Sequence, residues 1–275
     1  MHFCLLAEAL PPIYFFLSFI AIASFVIPFL RDLASHGKCR SSADNTGRLH
    51  HKFLHGETFL VPKRYFLHFY VTGLFSTAAL YTYSKHQEGS NQNSLALALL
   101  IAHLARRCWE CLFVQAWSPT SRMHLAGYAL GIMHYVLLPL VFVDPVCDGV
   151  QFHYTSDLRT AILGTCIWLW AQYQQYRHHC LLAGLRSVHS PKDYTIPTQG
   201  WFCLISCPHY LAEIIIYISF ALVLHSRRRD YRSVALVVWV ATNLSVSAIR
   251  SHDWYLLQFP EYASFRRKAI FPFLL

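Results

Sequence analysis

Four polar side chains interrupt one apolar stretch of the sequence in a helical pattern. His103, Arg106, Arg107 and Glu110 follow the spacing i, i+3, i+4, i+7, which puts them on one face of a helix. A charge at the centre of a bilayer costs about 3 kcal/mol or more, so it usually faces a cavity or a partner. Neutralisation of Arg106 or Arg107 by Glu110 is the simpler alternative. Four polar groups exceed the needs of one ion pair, which favours a polar cavity.

A second carboxylate lies at the start of another apolar stretch. Glu213 follows His209 by four residues, so both side chains share one face of a helix. The spacing fits a functional carboxylate and a structural His–Glu pair equally well.

A third group of polar residues occupies positions 172–200. It contains amides, imidazoles and a guanidinium, among them Gln175, His179 and Arg186, which suit the phosphates and the amide of a nicotinamide cofactor. A GxGxxG turn is missing, which excludes a Rossmann site. Taken without context, this pattern is typical of a solvated loop.

The elements that carry these residues have the composition of a membrane protein. Hydrophobic residues make up 55% of the 275 positions and charged residues only 13%, whereas an ordinary soluble domain has about 25% charged residues. A soluble globule of this size could not cover its exterior with so few charges. We therefore expect an all-α fold, a multi-span transmembrane bundle of about seven helices.

Seven stretches approach the length of about 20 apolar residues that a spanning helix needs. The last three are short, so six or eight spans are alternatives. Basic residues concentrate in the loops on one side, which predicts an outside N-terminus, although the run Arg227–Arg229 falls on the opposite side. The stretches are Ile13–Leu30, Tyr65–Tyr83, Ser94–Trp117, Met123–Val143, Leu158–Tyr173, Tyr210–Leu224 and Val234–Ile249.

The rest of the sequence gives no sign of a second domain or of other ligands. No polar linker divides it, so residues 1–275 are expected to form one domain, with an anchor helix and a cytosolic loop in residues 1–60. The single CxxC pair, Cys108 and Cys111, lacks a second pair, and we predict no metal site. The net charge of +9 is not gathered on a basic helix, and we predict no nucleic-acid partner.

Several separated motifs resemble one enzyme family. The tail Phe259–Phe273, together with the preceding His252–Tyr255, is similar to the C-terminal signature of the steroid 5-alpha-reductase family. Within the family, the chain most resembles the polyprenol (polyprenal) reductase branch, over roughly residues 61–275. Further segments carry the resemblance in the same order: Val61–Phe66, His68–Tyr70, Arg106–Leu112, Ile196–Phe202 and Tyr210–Glu213.

The resemblance implies a seven-span enzyme of the endoplasmic reticulum membrane that uses NADPH from the cytosolic side. Such an enzyme reduces a carbon–carbon double bond conjugated to a carbonyl. In the polyprenol branch the substrate is the long isoprenoid that becomes dolichol, the lipid carrier for N-glycosylation. The implied partners are therefore polyprenal or polyprenol and the membrane lipids.

The resemblance also assigns cofactor positions. Gln175 and His179 occupy positions that are Asn and Asp in the steroid enzymes, and His209 replaces an Asn. Glu213 also falls at a signature position. The remaining cofactor-side positions are Arg186, Tyr194, Tyr255 and Arg267.

The catalytic pair of the steroid enzymes does not transfer. Those enzymes have a Glu and a Tyr where this chain has Leu60 and Leu104. A different proton donor or water must act, and His103 and Tyr65 are our candidates beside Glu213. For Tyr65, the role of an interface anchor is the alternative.

Elementary chemistry favours an aldehyde as the substrate. An isolated alkene is a poor hydride acceptor, whereas conjugation to an aldehyde lets the incoming charge end on oxygen as an enolate. A hydrogen-bond donor would stabilise that oxygen, and the cofactor supplies the hydride. Because the tail of polyprenal is long and apolar, the site needs a lateral opening to lipid.

Two classes of alternative stay open at this point. One is another reductase of the same fold, acting on a steroid enone or an enoyl thioester. The other is a non-enzyme, a seven-span receptor or a lipid transporter.

Overall fold

The computed structural model describes residues 2–27, 30, 59–86, 93–118, 121–143, 146–147, 150–151, 157–188, 194–224 and 231–274. The cytosolic loop predicted within residues 1–60 corresponds to the segment Leu33–Phe59, which contains His50, His51 and His55. This segment lies outside the described residues except for Phe59. The run Arg227–Arg229 lies outside them as well.

The described residues are mostly helical, as predicted. Each of the seven apolar stretches overlaps one α-helix. The helices are α1 His2–Ala23, α2 Phe66–His86, α3 Asn93–Phe113, α4 Leu125–Leu137, α5 Leu158–Val188, α6 Pro208–Val223 and α7 Tyr231–Gln258. Short 3₁₀ helices cover Lys63–Tyr65, Leu138–Phe142, Gly200–Cys203 and Pro260–Phe265.

Two short antiparallel strand pairs depart from the all-α expectation. Strand β1 (Leu60–Pro62) pairs with β2 (Arg122–His124), with Leu60 opposite His124. The backbone N–H of Lys63 extends this pairing by donating to the Ser121 carbonyl at 2.9 Å. A second pair joins β3 (Val146–Cys147) to β4 (Val150–Gln151). The first pair fixes the start of α2 beside the start of α4.

Helix α5 is longer than the sequence predicts. We expect a span that ends at Tyr173 and a solvated loop from Gln172, but the helix continues to Val188 over 31 residues. Gln172, Gln175 and His179 are spaced by three and four residues, so they share one helical face. That face is buried, at 7%, 3% and 9% exposure. The expectation of a solvated loop was wrong because these polar residues face other polar groups inside the protein.

The core lies between helices that pack in pairs. Helix α5 lies against α6, α1 against α7, and α2 against α3. Leu100 and Leu104 of α3 and Phe220 of α6 are fully or almost fully buried in this core. The functional side chains of α3, α5 and α6 are therefore held by closely packed helices.

The exterior of the protein is suited to lipid. Helix α7 and the stretch Leu125–Phe142 are each long and apolar enough to cross a membrane, and Glu8–Ala23 and α6 are shorter apolar helices. Large apolar side chains point outward, such as Phe19 at 67% exposure and Leu163 at 54%. Soluble monomers rarely expose large contiguous apolar surfaces. Together with the shortage of charge, this exterior fits a protein that lies in a membrane.

A glycine allows the close approach of α5 and α6, and substituting it should destabilise the protein. A Cβ at Gly164 would lie 2.7 Å from a methyl carbon of Val223 and 3.0 Å from the backbone oxygen of Ser219. Overpacking of this kind costs about 1–3 kcal/mol. We expect Gly164→Ala to lower the thermal unfolding midpoint in detergent.

The matched control for this substitution is Gly184→Ala on the same helix. A Cβ at Gly184 would have no heavy atom within 4 Å, and alanine favours a helix over glycine by about 1 kcal/mol. Gly184→Ala should leave the midpoint unchanged or raise it. Equal effects of the two substitutions would contradict the close packing of α5 on α6.

Candidate active site

The centre of the candidate site is a charge cluster on α3. The Glu110 carboxylate pairs with the guanidinium groups of both Arg106 and Arg107, one helical turn away on the same face. Glu110 is fully buried and Arg107 nearly so. One carboxylate thus serves two cations, which leaves both guanidiniums with donors to spare.

The spare donors connect α3 to α5. Arg106 donates from Nε to Oε1 of Gln172 at 2.6 Å and from Nη2 to the side-chain oxygen of Gln175. Nδ1 of His179 lies 2.9 Å from Nη1 of Arg107 and 2.7 Å from Oε2 of Glu110. The amides and the imidazole of α5 therefore extend the hydrogen bonding of the α3 cluster to a second helix.

Glu213 adds α6 to the same network. Its carboxylate accepts a hydrogen bond from the side-chain amide of Gln175, and Nε2 of His103 lies 3.5 Å from its Oε1. On its other side, Nδ1 of His103 lies 3.0 Å from Nε2 of Gln172. These contacts join three helices in one network, which we name the polar core. Its members are His103, Arg106, Arg107, Glu110, Gln172, Gln175, His179 and Glu213.

The charges of the polar core balance. Arg106 and Arg107 carry two positive charges, and Glu110 and Glu213 carry two negative charges, so the sum is zero when both imidazoles are neutral. Buried charges are tolerated when they are paired and hydrogen-bonded. The simpler alternative, in which Glu110 neutralises only Arg106 or Arg107, does not describe this site. The ion pairs and hydrogen bonds of the polar core extend over three helices.

Tyr70 of α2 lies beside the polar core, although it was not among the site residues predicted from the sequence. Nη2 of Arg107 donates to its hydroxyl at 2.7 Å, and the guanidinium carbon lies 4.7 Å from its ring centroid. The Tyr135 ring is 5.4 Å from that of Tyr70. The segment His68–Tyr70 belonged to a family motif, but nothing in its spacing indicated a contact with Arg107.

Tyr65 lies in a different group of aromatic side chains. Its ring stacks on His68 at 4.7 Å and lies 6.1 Å from the ring of Tyr128. Within the described part of the chain, no hydrogen bond or ring contact joins Tyr65 to the polar core. The structure therefore brings His103 and Glu213 together but not Tyr65.

The C-terminal signature forms a second group of polar and aromatic residues. Nη1 of Arg267 donates to the Pro197 carbonyl at 2.7 Å, and the guanidinium lies 5.3 Å from the Tyr262 ring. Tyr255 stacks on Tyr262 at 5.0 Å. The tail is thereby fastened to the segment that precedes the 3₁₀ helix Gly200–Cys203.

Arg186 and Tyr194 belong to the same region. Arg186, near the end of α5, donates from Nη1 to the Ala116 carbonyl at 2.5 Å and lies 5.6 Å from the Tyr194 ring. Tyr194 meets the edge of Trp254 at 4.9 Å. We name this region the tail site. Its members are Arg186, Tyr194, Trp254, Tyr255, Tyr262 and Arg267.

His209 lies beside the polar core, at the start of α6. Its ring is 5.6 Å from that of His179 and 6.3 Å from that of Phe202, which lies in the 3₁₀ helix Gly200–Cys203. His209 therefore stands between the polar core and the segment to which the tail is fastened.

Several buried polar atoms in this area have no hydrogen-bond partner among the described residues. They include both ring nitrogens of His178, Oγ1 of Thr195, and Nε of Arg267. Buried polar groups in folded proteins are nearly always hydrogen-bonded. Donors and acceptors left over beside two arginines fit a ligand with both phosphates and hydroxyl or amide groups, such as a nicotinamide dinucleotide.

The two leucines at the catalytic positions of the steroid enzymes offer no proton. Leu60 lies in β1 opposite His124, and Leu104 is fully buried in the apolar core. A Cβ at Gly73 would lie 3.2 Å from Leu104 and 2.8 Å from Tyr135. Leu104 and Tyr135 are therefore close neighbours.

Fold and site together define a helical membrane protein with a charge-balanced polar core and a basic, aromatic tail site. The family model described as 3-oxo-5-alpha-steroid 4-dehydrogenase matches residues 127–275. The chain therefore belongs to the steroid 5-alpha-reductase family, as its motifs indicated.

Its relatives include three polyprenal reductases. Polyprenal reductase 1 of Oryza sativa subsp. indica is 30% identical, over 78% of this chain and 80% of the relative. Polyprenal reductase of Xenopus tropicalis is 31% identical, over 91% and 90%. Polyprenal reductase of Caenorhabditis elegans is 30% identical, over 94% and 91%.

Family membership settles the class of protein. The chain is an oxidoreductase that acts on a carbon–carbon double bond, and the family indicates a nicotinamide cofactor. The receptor and the transporter that the sequence left open are thereby set aside.

Glu213 should be required for turnover because it balances one of the two guanidinium charges. A hydrogen bond to a charged group contributes about 1.5–3 kcal/mol, so we expect Glu213→Gln to lower turnover roughly tenfold to a hundredfold. The measurement is the steady-state rate of the purified protein, with its unfolding midpoint recorded alongside.

The control for this substitution is Glu261→Gln, which removes an exposed carboxylate in the 3₁₀ helix Pro260–Phe265. It should leave both quantities unchanged. Normal turnover of Glu213→Gln would show that Glu213 only supports the structure.

Proposed function

We propose that this protein reduces the double bond of the α-isoprene unit of polyprenal with NADPH, and so supplies dolichol for protein N-glycosylation. The observation that carries the proposal is the polar core, a charge-balanced network of hydrogen bonds and ion pairs inside an apolar helical protein. The similarity to polyprenal reductases over most of the chain supports the choice of substrate.

The cofactor would lie between the tail site and the polar core. Arg186 and Arg267 are suited to phosphates, because a guanidinium presents several donors in a fixed plane. The unsatisfied Thr195 hydroxyl and the His178 ring add hydrogen-bonding groups. Tyr194 and Tyr255 offer aromatic faces, and Gln175, His179 and His209 would serve the nicotinamide end. Bound there, the cofactor supplies the hydride.

The polar core would act on the substrate by electrostatics. Hydride addition to the β-carbon develops negative charge on the aldehyde oxygen, and fixed donors in a dry site stabilise such charge strongly. His103 is held between Gln172 and Glu213, so its ring orientation is fixed. Glu213 would keep the charge of the polar core balanced during the reaction. Tyr65, outside this network, is the weaker candidate.

The apolar exterior supports a multi-pass arrangement in a membrane, and we propose the endoplasmic reticulum membrane because the resemblance to the reductase family implies it. The exposed apolar side chains of α1 and α5 fit lipid-facing helices. We propose a bundle of about seven spans, among which Leu125–Phe142 and α7 are each long and apolar enough to cross a membrane. We propose that residues 1–275 form one domain, with residues 61–275 as the reductase core. A lateral opening between helices would admit the isoprenoid tail from the membrane lipids.

Product analysis tests the proposed reaction. Purified protein is incubated with NADPH carrying deuterium at C4 of the nicotinamide, separately with polyprenal, a steroid enone and an enoyl thioester. We expect dolichal with one deuterium at the β-carbon, because the hydride is delivered there, and little reduction of the other two. Mass spectrometry of the lipid products makes the measurement. If the protein reduced the enone or the thioester faster than polyprenal, the proposal of polyprenal as the substrate would be refuted.

Arg186→Ala should weaken the use of NADPH. Loss of a charge-assisted hydrogen bond, about 1.5–3 kcal/mol, predicts a rise of roughly tenfold to a hundredfold in the KM for NADPH. Arg177→Ala, an exposed arginine on the same helix, is the control and should leave KM unchanged. An unchanged KM in Arg186→Ala, with normal expression, would remove Arg186 from the cofactor site.

A further inference from the structure

The hydroxyl of Tyr70 has an unusual environment for a buried phenol. Tyr70 is 7% exposed, and its oxygen accepts a hydrogen bond from Nη2 of Arg107 at 2.7 Å. Among the described residues, no acceptor is recorded for its own O–H proton. A phenol that accepts from a cation and still holds its proton is ready to donate that proton to a ligand.

The surroundings of Tyr70 fix this hydroxyl in place. Its ring lies 4.7 Å below the Arg107 guanidinium and meets the Tyr135 ring edge-on, at 74°. Arg107 is itself held by Glu110 and lies 2.9 Å from His179. The orientation of the hydroxyl is therefore set by three helices, as the orientation of a proton donor must be for efficient transfer.

Tyr70 is better suited to donate a proton than the other tyrosines near the polar core. Tyr70, Tyr135 and Tyr217 all lie within electrostatic reach of the Glu213 carboxylate. Among the described residues, a guanidinium donates a hydrogen bond to Tyr70 but to neither Tyr135 nor Tyr217. A guanidinium beside the phenol oxygen favours the phenolate that proton donation leaves behind.

We propose that Tyr70 is the catalytic acid, and that its hydroxyl contacts the aldehyde oxygen of the substrate while Arg107 holds the phenol oxygen. This rests on the proposed reduction of an enal. The role that Leu104 and Leu60 cannot fill would thus be taken by a hydroxyl on α2.

The proposed reduction combines a hydride transfer with a proton transfer. The hydride forms a C–H bond at the β-carbon, the alkene electron pair shifts toward the carbonyl, and the carbonyl oxygen takes the Tyr70 proton to give an enol. The Tyr70 phenolate is then paired with Arg107. The enol gains a proton from water at the α-carbon and returns its hydroxyl proton to Tyr70. The net change is one hydride and one proton added across the double bond.

The first test is binding, without turnover. A polyprenoic acid presents an anionic oxygen where the enolate oxygen would lie, and the matching polyprenol does not. With oxidised cofactor present, we expect Tyr70→Phe to weaken binding of the acid about tenfold or more, since a hydrogen bond to a charged oxygen is lost. Its affinity for the alcohol should change far less. Equal weakening of both ligands, or of neither, would overturn the inference.

The second test is the rate of polyprenal reduction. General acid catalysis typically contributes 10²–10⁴-fold, so kcat of Tyr70→Phe should fall about a hundredfold or more with little change in the KM for NADPH. Tyr173→Phe is the control, since Tyr173 is 60% exposed on α5. A wild-type protein that binds NADPH but does not reduce polyprenal would refute the proposed function. If the wild-type protein reduced polyprenal and Tyr70→Phe did so at the same rate, the catalytic role of Tyr70 would be refuted but the proposed function would not.

A fluorinated tyrosine at position 70 covers the case in which Tyr70→Phe does not fold. It keeps the hydroxyl and the ring while making the phenol more acidic. A catalytic acid should then shift the alkaline limb of the kcat–pH profile to lower pH, because a more acidic phenol loses its proton earlier. A residue that only supports packing leaves the profile in place, and that result would overturn the inference.

Discussion

The structure depends on the need to satisfy two guanidiniums inside an apolar helical protein, that of Arg107 buried and that of Arg106 partly buried. Charges at membrane depth cost about 3 kcal/mol or more each unless they are paired or face a cavity. Arg106 and Arg107 meet this requirement through Glu110 on their own helix and through partners on α5 and α2. Glu213 on α6 brings the sum of charges to zero. These helices must therefore pack in one register, because a shift of any of them would leave a charge unpaired.

The same constraint connects packing to function. Gly164 allows α5 to approach α6 closely enough for Gln175 to reach Glu213. A preorganised set of donors and charges costs no reorganisation when charge develops on a substrate. A water-excluded, apolar surrounding strengthens such interactions, and it also accommodates an isoprenoid tail. The pairing that stabilises the charges of the polar core in apolar surroundings thus also suits this site to hydride transfer to an enal.

Part of this arrangement was predictable from the sequence, and the reasons are specific. The 3-and-4 spacing from His103 to Glu110 indicated one polar face, because that spacing is intrinsic to a helix. The continuation of α5 through Gln172–His179 was missed, since a run of polar residues resembles a loop until its partners are known. Tyr70 was missed for a related reason. Its contact with Arg107 joins residues 37 positions apart, and no local pattern encodes such a contact. Tyr65 was a candidate because its hydroxyl could donate a hydrogen bond near the apolar part of a buried site, but the structure places it in a separate aromatic group.

The most direct test of the account is whether the nicotinamide ring contacts the polar core. Thermal unfolding of the purified protein in detergent is compared with NADPH and with 2′-phospho-ADP-ribose, which lacks the nicotinamide. A ligand at 100 times its Kd stabilises the folded state by about 2.7 kcal/mol. At equal concentrations, we expect a clearly larger rise of the midpoint with NADPH, because only NADPH can reach Gln175 and Glu213. Equal shifts from the two compounds, or no shift from either, would contradict this expectation.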